Sequence, residues 1–131
     1  MIDSHCHFDL PEFADKHANV LSRCQALGIE RILIPGLSIA QFSTLRDLKR
    51  RMTEPNDSGV KLASPSSTKR QHAISLDICL GLHPFFLKAL QASQLLEQEN
   101  QVFRLGEKHH NDIVAIGECG LDGSLPIPMT Y

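Results

Sequence analysis

Two histidines one residue apart, His5 and His7, lie near the start of the chain in a pattern suited to metal binding. In an extended strand, residues i and i+2 point to the same face, so both imidazoles can converge on one point. Much farther along the chain, Glu118 follows an apolar run at residues 113–116 and Gly117. Two imidazoles and a carboxylate at the ends of strands predict a divalent-cation site.

Each of these signals has a plainer alternative. The histidine pair could be two exposed imidazoles of a polar loop, and Glu118 could lie at the start of a following helix. Gly117 favours the functional interpretation, because a glycine lets a ligand or another backbone segment approach closely. The three residues together favour one shared site.

Two further residues are candidates for supporting roles. His83 follows an apolar stretch and precedes Pro84, where it could contact substrate or donate a proton, or be held by backbone hydrogen bonds. Asp122 is predicted to orient a metal ligand or the following loop. No catalytic role is assigned to the other histidines, which are His17, His72, His109 and His110.

Hydrophobic periodicity predicts four strands that alternate with three helices. The strands are expected at residues 1–5, 32–34, 75–82 and 113–116, and the helices at 11–27, 38–52 and 92–110. This alternation predicts an α/β fold with a parallel sheet and right-handed crossovers. In such sheets functional groups gather at the carboxyl ends of the strands. The residues that fall there are His5, His7, Pro35, Gly36, His83 and Glu118.

Residues 53–70 differ in composition from the rest of the chain and are predicted to be a loop insertion. They are rich in Pro, Ser, Asn and Gly. The stretch is also longer than most connections within a compact domain.

Composition and charge narrow the class of protein. The 131 residues are 42% hydrophobic and 21% charged, which suits one globular domain. The net charge of −2 argues against nucleic-acid binding that depends mainly on positive charge, although small basic clusters occur at residues 49–51 and 69–70. Without an apolar run of about 18 residues or a signal-peptide pattern, we expect a cytoplasmic protein that does not span a membrane.

The four cysteines are predicted to be reduced and buried. They are Cys6, Cys24, Cys79 and Cys119, and no two of them form a C-x-x-C pair. This usage is typical of a cytosolic protein and argues against a disulfide framework.

Three segments resemble the TatD family of metal-dependent hydrolases, whose members are often named TatD-type deoxyribonucleases. They are Ile2-Asp-Ser-His5-Cys-His7-Phe-Asp9, then Gly81-Leu-His83-Pro84, then Ile116-Gly-Glu118-Cys-Gly-Leu-Asp122. Their order and separation also match, and the resemblance covers the chain except for the predicted insertion. It implies parallel βα units of a TIM-type (β/α)₈ barrel.

The resemblance also implies roles for individual residues. His5 and His7 would bind one divalent cation, and Glu118 would bridge it to a second one. Glu118 and His83 are the predicted catalytic residues, His83 because of its position after the third strand. The cations, which could be Zn, Mn, Mg or Ni, would activate water for attack on a phosphodiester bond of DNA.

The chain departs from the family in length. A TIM barrel needs roughly 200 to 250 residues, whereas four strands are predicted in these 131. The family's later ligands, two histidines and an aspartate, have no counterpart, since Asp122 is the only aspartate and no histidine follows Glu118. We therefore expect residues 1–131 to form one incomplete domain, the N-terminal half of a barrel.

That expectation has consequences for function. A half barrel leaves its first and fourth strands as open edges, so a partner or second chain would be needed to complete it. Alone it would have little or no hydrolase activity. The alternative from another class is a truncated, catalytically inactive fragment or interaction module that retains a partial metal site.

A third reading is a different hydrolase with the same histidine pair. A phosphoesterase resembling histidinol phosphatase is disfavoured by the match at residues 117–122. A lysine-carbamate amidohydrolase is disfavoured because Glu118 occupies the position of the lysine, and no lysine follows Lys108.

Overall fold

The computed structural model describes residues 1–53 and 74–124. The predicted insertion at residues 53–70 lies outside them except for Thr53, which is the last residue of a helix. Among the described helices, none is long and apolar enough to cross a membrane.

Four parallel strands form one sheet with the spatial order β1-β2-β3-β4. The strands are β1 (Ile2–Asp3), β2 (Arg31–Ile34), β3 (Ser75–Leu82) and β4 (Ile113–Cys119). The helices are α1 (His17–Ala26), α2 (Phe42–Thr53), α3 (Pro84–Leu87) and α4 (Ala92–Lys108). Parallel neighbours connected through helices are the α/β architecture that the sequence predicts. Within the described residues, β1 and β4 are the two edges of the sheet.

The hydrophobic core is built mainly from β3 and α2. All β3 residues from 76 to 81 are buried, and Ile78 and Leu80 have no exposed surface. On α2, Leu45 and Leu48 are three residues apart and therefore share one buried face. Burial of such side chains stabilises by about 1.5–3 kcal/mol each, so β3 is the stabilising centre of the sheet.

Two ion pairs lie beside two neighbouring strands, the inner strand β3 and the edge strand β4. In β3, the buried Asp77 carboxylate accepts a hydrogen bond of 2.7 Å from Arg31 Nε. Next to the start of β4, the half-exposed Asp112 accepts one of 2.8 Å from Arg46 Nε. The same chemistry is thus present in a buried and in a solvated setting.

The first helix is shorter than predicted. Residues from Pro11 to Phe13 form a 3₁₀ turn, and α1 begins only at His17. The reason is local: the amides of Ala14 and Lys16 bond to carbonyls three residues back, which gives tight turns instead of a continuous α-helix. The helix ends as expected, with Gly28 at φ +78° directly after the cap.

Two other differences concern the helices α3 and α4. The helix α3, which has four residues and Pro84 at its first position, was not predicted. The end of α4 was predicted at residue 110, whereas the helix ends at Lys108 and His109 caps it.

Candidate metal centre

His5 and His7 lie just beyond β1, which ends at Asp3 and not at residue 5 as predicted. The chain still runs alongside β2, because the Cys6 amide donates a 3.0 Å hydrogen bond to the Leu33 carbonyl. Cys6 packs against the core, which leaves the histidines on either side of it facing away from the core. Their Nε2 atoms are 3.3 Å apart, so the two imidazoles do converge.

Phe8 anchors this segment to the core. Its side chain is completely buried, and its ring packs against Phe13 and His17 with centroid distances of 5.2 and 4.7 Å. The buried Nε2 of His17 is 2.9 Å from the Phe8 carbonyl oxygen. His17 therefore supports the loop that carries the histidine pair.

Glu118 lies within β4, which continues to Cys119 instead of ending at residue 116 as predicted. Its amide donates a 2.6 Å hydrogen bond to the Gly36 carbonyl, and the Gly36 amide donates one of 2.9 Å to the Gly117 carbonyl. These two bonds, called here the Gly36–Glu118 bridge, join the chain after β2 directly to β4. The bridge passes over Gly81 of β3, where any Cβ would collide with the Gly36 oxygen and the Glu118 nitrogen. A glycine at 81 is therefore required for the backbone that positions Glu118.

The side chains of His5, His7 and Glu118 meet at one point. One ligand atom from each lies within 4.8 Å of the other two. Glu118 Oε2 is 3.5 Å from His5 Nε2 and 3.6 Å from His7 Nε2. Two ligands about 2.1 Å from a tetrahedral cation lie about 3.4 Å apart, so the spacing of the three atoms fits ligands of one cation.

The surroundings of Glu118 also fit a cation. Its Oε2 atom is buried and accepts no hydrogen bond from the described part of the chain. A buried carboxylate oxygen without a partner carries a desolvation cost that a bound cation would remove. The His5 side chain is 55% exposed, against 28% for His7. The cluster is therefore open on the His5 side, where substrate or further ligands can approach.

His83 lies on the other side of the same carboxylate. Its Nε2 is 3.3 Å from Glu118 Oε1, and its Nδ1 accepts a 3.1 Å hydrogen bond from the Phe85 amide at the start of α3. Because Nδ1 is an acceptor, the proton of the neutral ring is assigned to Nε2. His83 thus presents an N–H group toward Glu118. Of the two alternatives from the sequence, the backbone contact is present, and a role toward substrate stays a prediction.

The loop after β2 is a structural element that the sequence analysis did not connect to Glu118 and His83. Gly36 holds Glu118 through the Gly36–Glu118 bridge. The next residue, Leu37, accepts a 2.9 Å hydrogen bond at its carbonyl from the His83 amide. Pro35 and Gly36 were predicted only to lie at the carboxyl end of a strand, and these long-range backbone bonds leave no local sequence signal.

The same loop is also tied to the segment that carries the histidine pair. The Leu37 amide donates a 2.6 Å hydrogen bond to Gln41 Oε1. Gln41 Nε2 in turn donates one of 2.6 Å to Asp9 Oδ2. The loops after β1 and β2 are thereby linked through one side-chain amide, and Gln41 has no feature in the sequence that points to this role.

Asp122 orients the following loop. Its Oδ1 accepts hydrogen bonds of 2.9 Å from the Ser124 amide and 2.6 Å from the Ser124 hydroxyl. The hydroxyl and then the amide of Ser124 lower the pKa of Asp122, and the charge of His83 lowers it further. Among the described contacts, none joins Asp122 to a candidate metal ligand, so of its two predicted roles the structure has the one toward the loop.

The basic cluster at residues 49–51 lies away from these residues. Lys49 and Arg50 line a surface cavity of about 320 Å³ together with Arg46 and Asp112. The Lys49 ammonium donates to the Asp112 carbonyl at 3.2 Å, and Arg50 pairs with Asp47 at 3.1 Å. These side chains are satisfied within the chain, and the second cluster, at residues 69–70, lies outside the described residues.

Sequence comparison places these features in a known family. The chain matches the family described as TatD related DNase over residues 2–128. It is 30% identical over 121 residues to the uncharacterized metal-dependent hydrolase YjjV of Escherichia coli K12, covering 92% of this chain and 37% of that protein. It is 26% identical over 124 residues to a candidate deoxyribonuclease of Xenopus laevis, tatdn3-B, covering 93% of this chain and 41% of that protein.

Solved structures agree on the fold. The crystal structure of Escherichia coli YjjV, a TatD homolog, superposes with a TM-score of 0.65 at 27% identity and covers 94% of this chain. A TatD family hydrolase of Entamoeba histolytica superposes with a TM-score of 0.64 at 22% identity and covers 95% of this chain. The chain spans 38% of either structure, and the predicted fold class, parallel βα units of the TIM-type barrel, is confirmed.

Proposed function

This chain belongs to the TatD related DNase family. We propose that it forms the N-terminal half of a hydrolase that cleaves phosphodiester bonds of DNA, and that this half holds the first metal ion. The observation that supports this most directly is the convergence of His5, His7 and Glu118. Since the chain spans about two fifths of the length of its relatives, the proposal concerns the activity of a completed barrel.

The donor set agrees with a divalent cation. His5 and His7 would supply imidazole nitrogens and Glu118 a carboxylate oxygen, which suit Zn, Mn or Ni and also accept Mg. When bound, one or two such cations supply Lewis acidity toward a phosphoryl oxygen and make water easier to deprotonate.

Glu118 and His83 would divide the remaining work between them. Glu118 directs Oε2 at the two histidines and Oε1 at His83, so one carboxylate can serve the cation and a neighbouring group at once. His83, with its proton on Nε2, is placed to donate to a phosphate oxygen or to the leaving oxygen. The Phe85 amide keeps Nδ1 occupied and thus keeps Nε2 directed into the site.

DNA is the substrate that the comparisons favour. The matched family is described as TatD related DNase, and one relative bears a deoxyribonuclease name. A net charge of −2 is compatible with this substrate, because cations held at His5, His7 and Glu118 can contact phosphate without a basic surface.

We propose that the rest of a TatD-type barrel, carried on further polypeptide, covers the open edges of this sheet. Val114 and Ile116 of the edge strand β4 are 47% and 57% exposed although both are large and apolar. Such strands with unpaired backbone groups readily add another strand. The same features favour the second candidate, an interaction module that keeps a metal site without turnover.

A metal titration combined with a nuclease assay tests the proposal. Calorimetry with Zn²⁺ and Mn²⁺ should give binding to the wild-type chain that His5→Ala and Glu118→Ala weaken more than about 100-fold, since even outer partners of a ligand are worth about 10- to 100-fold. The matched control is His110→Ala, an exposed histidine in the turn after α4, which should leave binding unchanged.

The nuclease assay separates the two candidates. Labelled duplex DNA is incubated with this chain alone and with the part of Escherichia coli YjjV that the chain does not cover. Cleavage that requires both polypeptides and His5 supports the hydrolase. Metal binding with a stable complex but no cleavage supports the interaction module, and no metal binding at all contradicts both.

A further inference from the structure

Two buried polar atoms next to the candidate metal centre have no partner. Among the described residues, neither His7 Nδ1 nor Asp9 Oδ1 makes a hydrogen bond, and both atoms are inaccessible to water. Buried polar atoms are nearly always paired, and leaving one unpaired costs about as much as a lost hydrogen bond. Two such atoms two residues apart, one on each side of Phe8, therefore need a common explanation.

The role of His7 as a metal ligand determines which hydrogen-bond partner its unpaired Nδ1 atom requires. His7 Nε2 faces His5 and Glu118 and would be the ligand atom. A neutral imidazole that binds a cation through one nitrogen carries its proton on the other, so Nδ1 is a donor. Histidines that bind metals almost always donate this proton to a carboxylate, a carbonyl or water.

Asp9 offers the matching acceptor and is itself held in place. Its Oδ2 accepts a 2.6 Å hydrogen bond from Gln41 Nε2, while Gln41 Oε1 is occupied by the Leu37 amide at 2.6 Å. The amide of Gln41 therefore cannot flip without losing both bonds. Asp9 also lies inside the turn closed by the Leu10 amide and the His7 carbonyl at 3.1 Å, which keeps it beside His7.

We infer that Asp9 is the positioning residue of His7: its Oδ1 accepts the Nδ1 proton of His7, which leaves Nε2 free to bind a cation, and Gln41 holds the carboxylate for this purpose. Pairing the two atoms breaks no hydrogen bond that either one has in the structure. Direct ligation by Asp9 is the rival role, but the convergent group among the described residues contains only His5, His7 and Glu118. The inference rests on the proposed metal site.

Zn²⁺ titration of the whole chain tests this role. Asp9→Ala should weaken binding about 10- to 100-fold, the usual effect of losing such a partner. The matched control is Asp15→Ala, which removes the same charge from an exposed turn and should leave the affinity unchanged. Unaltered affinity in Asp9→Ala would overturn the inference.

Rescue distinguishes positioning from a general effect on the fold. Asp9→Asn keeps the shape of the side chain and one acceptor oxygen, but it places the new NH₂ group against the NH₂ group of Gln41. Because two donors then face each other, Zn²⁺ binding should again weaken. Adding Gln41→Glu supplies a carboxylate that can accept from both the new NH₂ group at position 9 and the Leu37 backbone amide. This double variant should recover most of the Zn²⁺ affinity. A double variant as weak as the single one would contradict the role of Gln41.

Long-range ¹H–¹⁵N correlation spectra give a readout that a merely structural residue would not move. His7 should carry its proton on Nδ1 in the wild-type chain at neutral pH, and in Asp9→Ala it should shift toward the Nε2 tautomer. If the wild-type chain binds no Zn²⁺, the proposed function fails, while these spectra still decide the contact in the metal-free chain. An unchanged His7 signal in Asp9→Ala would refute the contact.

Discussion

β3 and β4 are neighbouring parallel strands of similar apolar composition, yet they occupy opposite environments. Residues 76–81 of β3 are all buried, whereas β4 has no buried residue and exposes Val114 and Ile116. Each strand nevertheless leads to one side chain of the candidate metal centre, with His83 directly after β3 and Glu118 near the end of β4.

The difference separates stability from function in this sheet. β3 is held by side chains that pack against α2, so its position follows from the core. Glu118, on the exposed strand, is held by the Gly36–Glu118 bridge. A candidate metal ligand on a solvent-exposed edge strand is thus positioned by two backbone hydrogen bonds instead of by packing.

The largest difference between β3 and β4 is expected when the same type of side chain, isoleucine, is truncated in both strands. Ile78→Ala in β3 should cost about 2–5 kcal/mol of unfolding free energy, because it leaves a cavity in the core. Ile116→Ala in β4 should cost less than about 1 kcal/mol, since the side chain is mostly exposed. Urea unfolding of both variants measures this. Equal losses would mean that something covers β4 in solution.

The next largest effect should come from the bridge. Gly81→Ala inserts a Cβ against the Gly36 oxygen and the Glu118 nitrogen, so it should destabilise by about 1–3 kcal/mol and weaken Zn²⁺ binding by displacing Glu118. Gly106→Ala in α4, where a Cβ meets nothing within 4 Å, should instead stabilise by about 1 kcal/mol. Unfolding and metal titration on both variants provide the check. Normal metal affinity in Gly81→Ala would show that the bridge does not position Glu118.

A smaller difference in unfolding free energy is expected between the ion pairs beside β3 and β4. Arg31→Met leaves the buried Asp77 carboxylate of β3 without its guanidinium and should cost about 1–3 kcal/mol. Arg46→Met removes a partly exposed pair with Asp112 and should cost less than about 1 kcal/mol. Denaturation at low and high salt tests this, with a stronger salt dependence expected for the Arg46 pair. A larger loss of unfolding free energy for Arg46→Met than for Arg31→Met would contradict the stronger contribution of the buried pair.

The mildest test uses one cysteine in each strand. Burial, and then the charge of Asp77, raises the pKa of the Cys79 thiol above 9.0, while Cys119 in β4 is exposed. Above pH 9 the unfolded thiol ionises but the folded one stays protonated. Stability is therefore complete below pH 9 and falls as the pH rises toward the folded pKa.

Iodoacetamide labelling and unfolding curves measure both effects. At pH 8, Cys119 should be alkylated in the folded chain and Cys79 only after unfolding. Cys79→Ala should flatten the decline above pH 9, although a part will remain because burial also raises the pKa of Cys6. Rapid labelling of Cys79 in the folded chain would contradict its burial.

Features with a local physical cause were predictable from the sequence. The end of β3 follows from an apolar run at residues 78–82 that stops at His83 and Pro84, and the end of α1 follows from Gly28. The convergence of His5 and His7 follows from alternation along an extended segment, even though both residues lie past the end of β1. The parallel order of the strands follows from their alternation with helices.

Features that depend on distant residues were not predictable in this way. β4 was expected to end at residue 116, because nothing local indicates that Gly36, far earlier in the chain, bonds to Glu118. The role of Gln41 likewise exists only once the loops after β1 and β2 are side by side. The helix α3 was missed because four residues carry no periodicity, although a proline at a first helical position was a usable signal.

The Gly36–Glu118 bridge also closes a loop of about 80 residues, and the chain between α2 and β3 lies inside it. The entropy of closing a flexible loop grows only with the logarithm of its length, so adding or removing about twenty residues there changes the cost by about 0.2–0.3 kcal/mol. The length of that connection can therefore vary widely with almost no penalty to the carboxylate that completes the candidate metal centre.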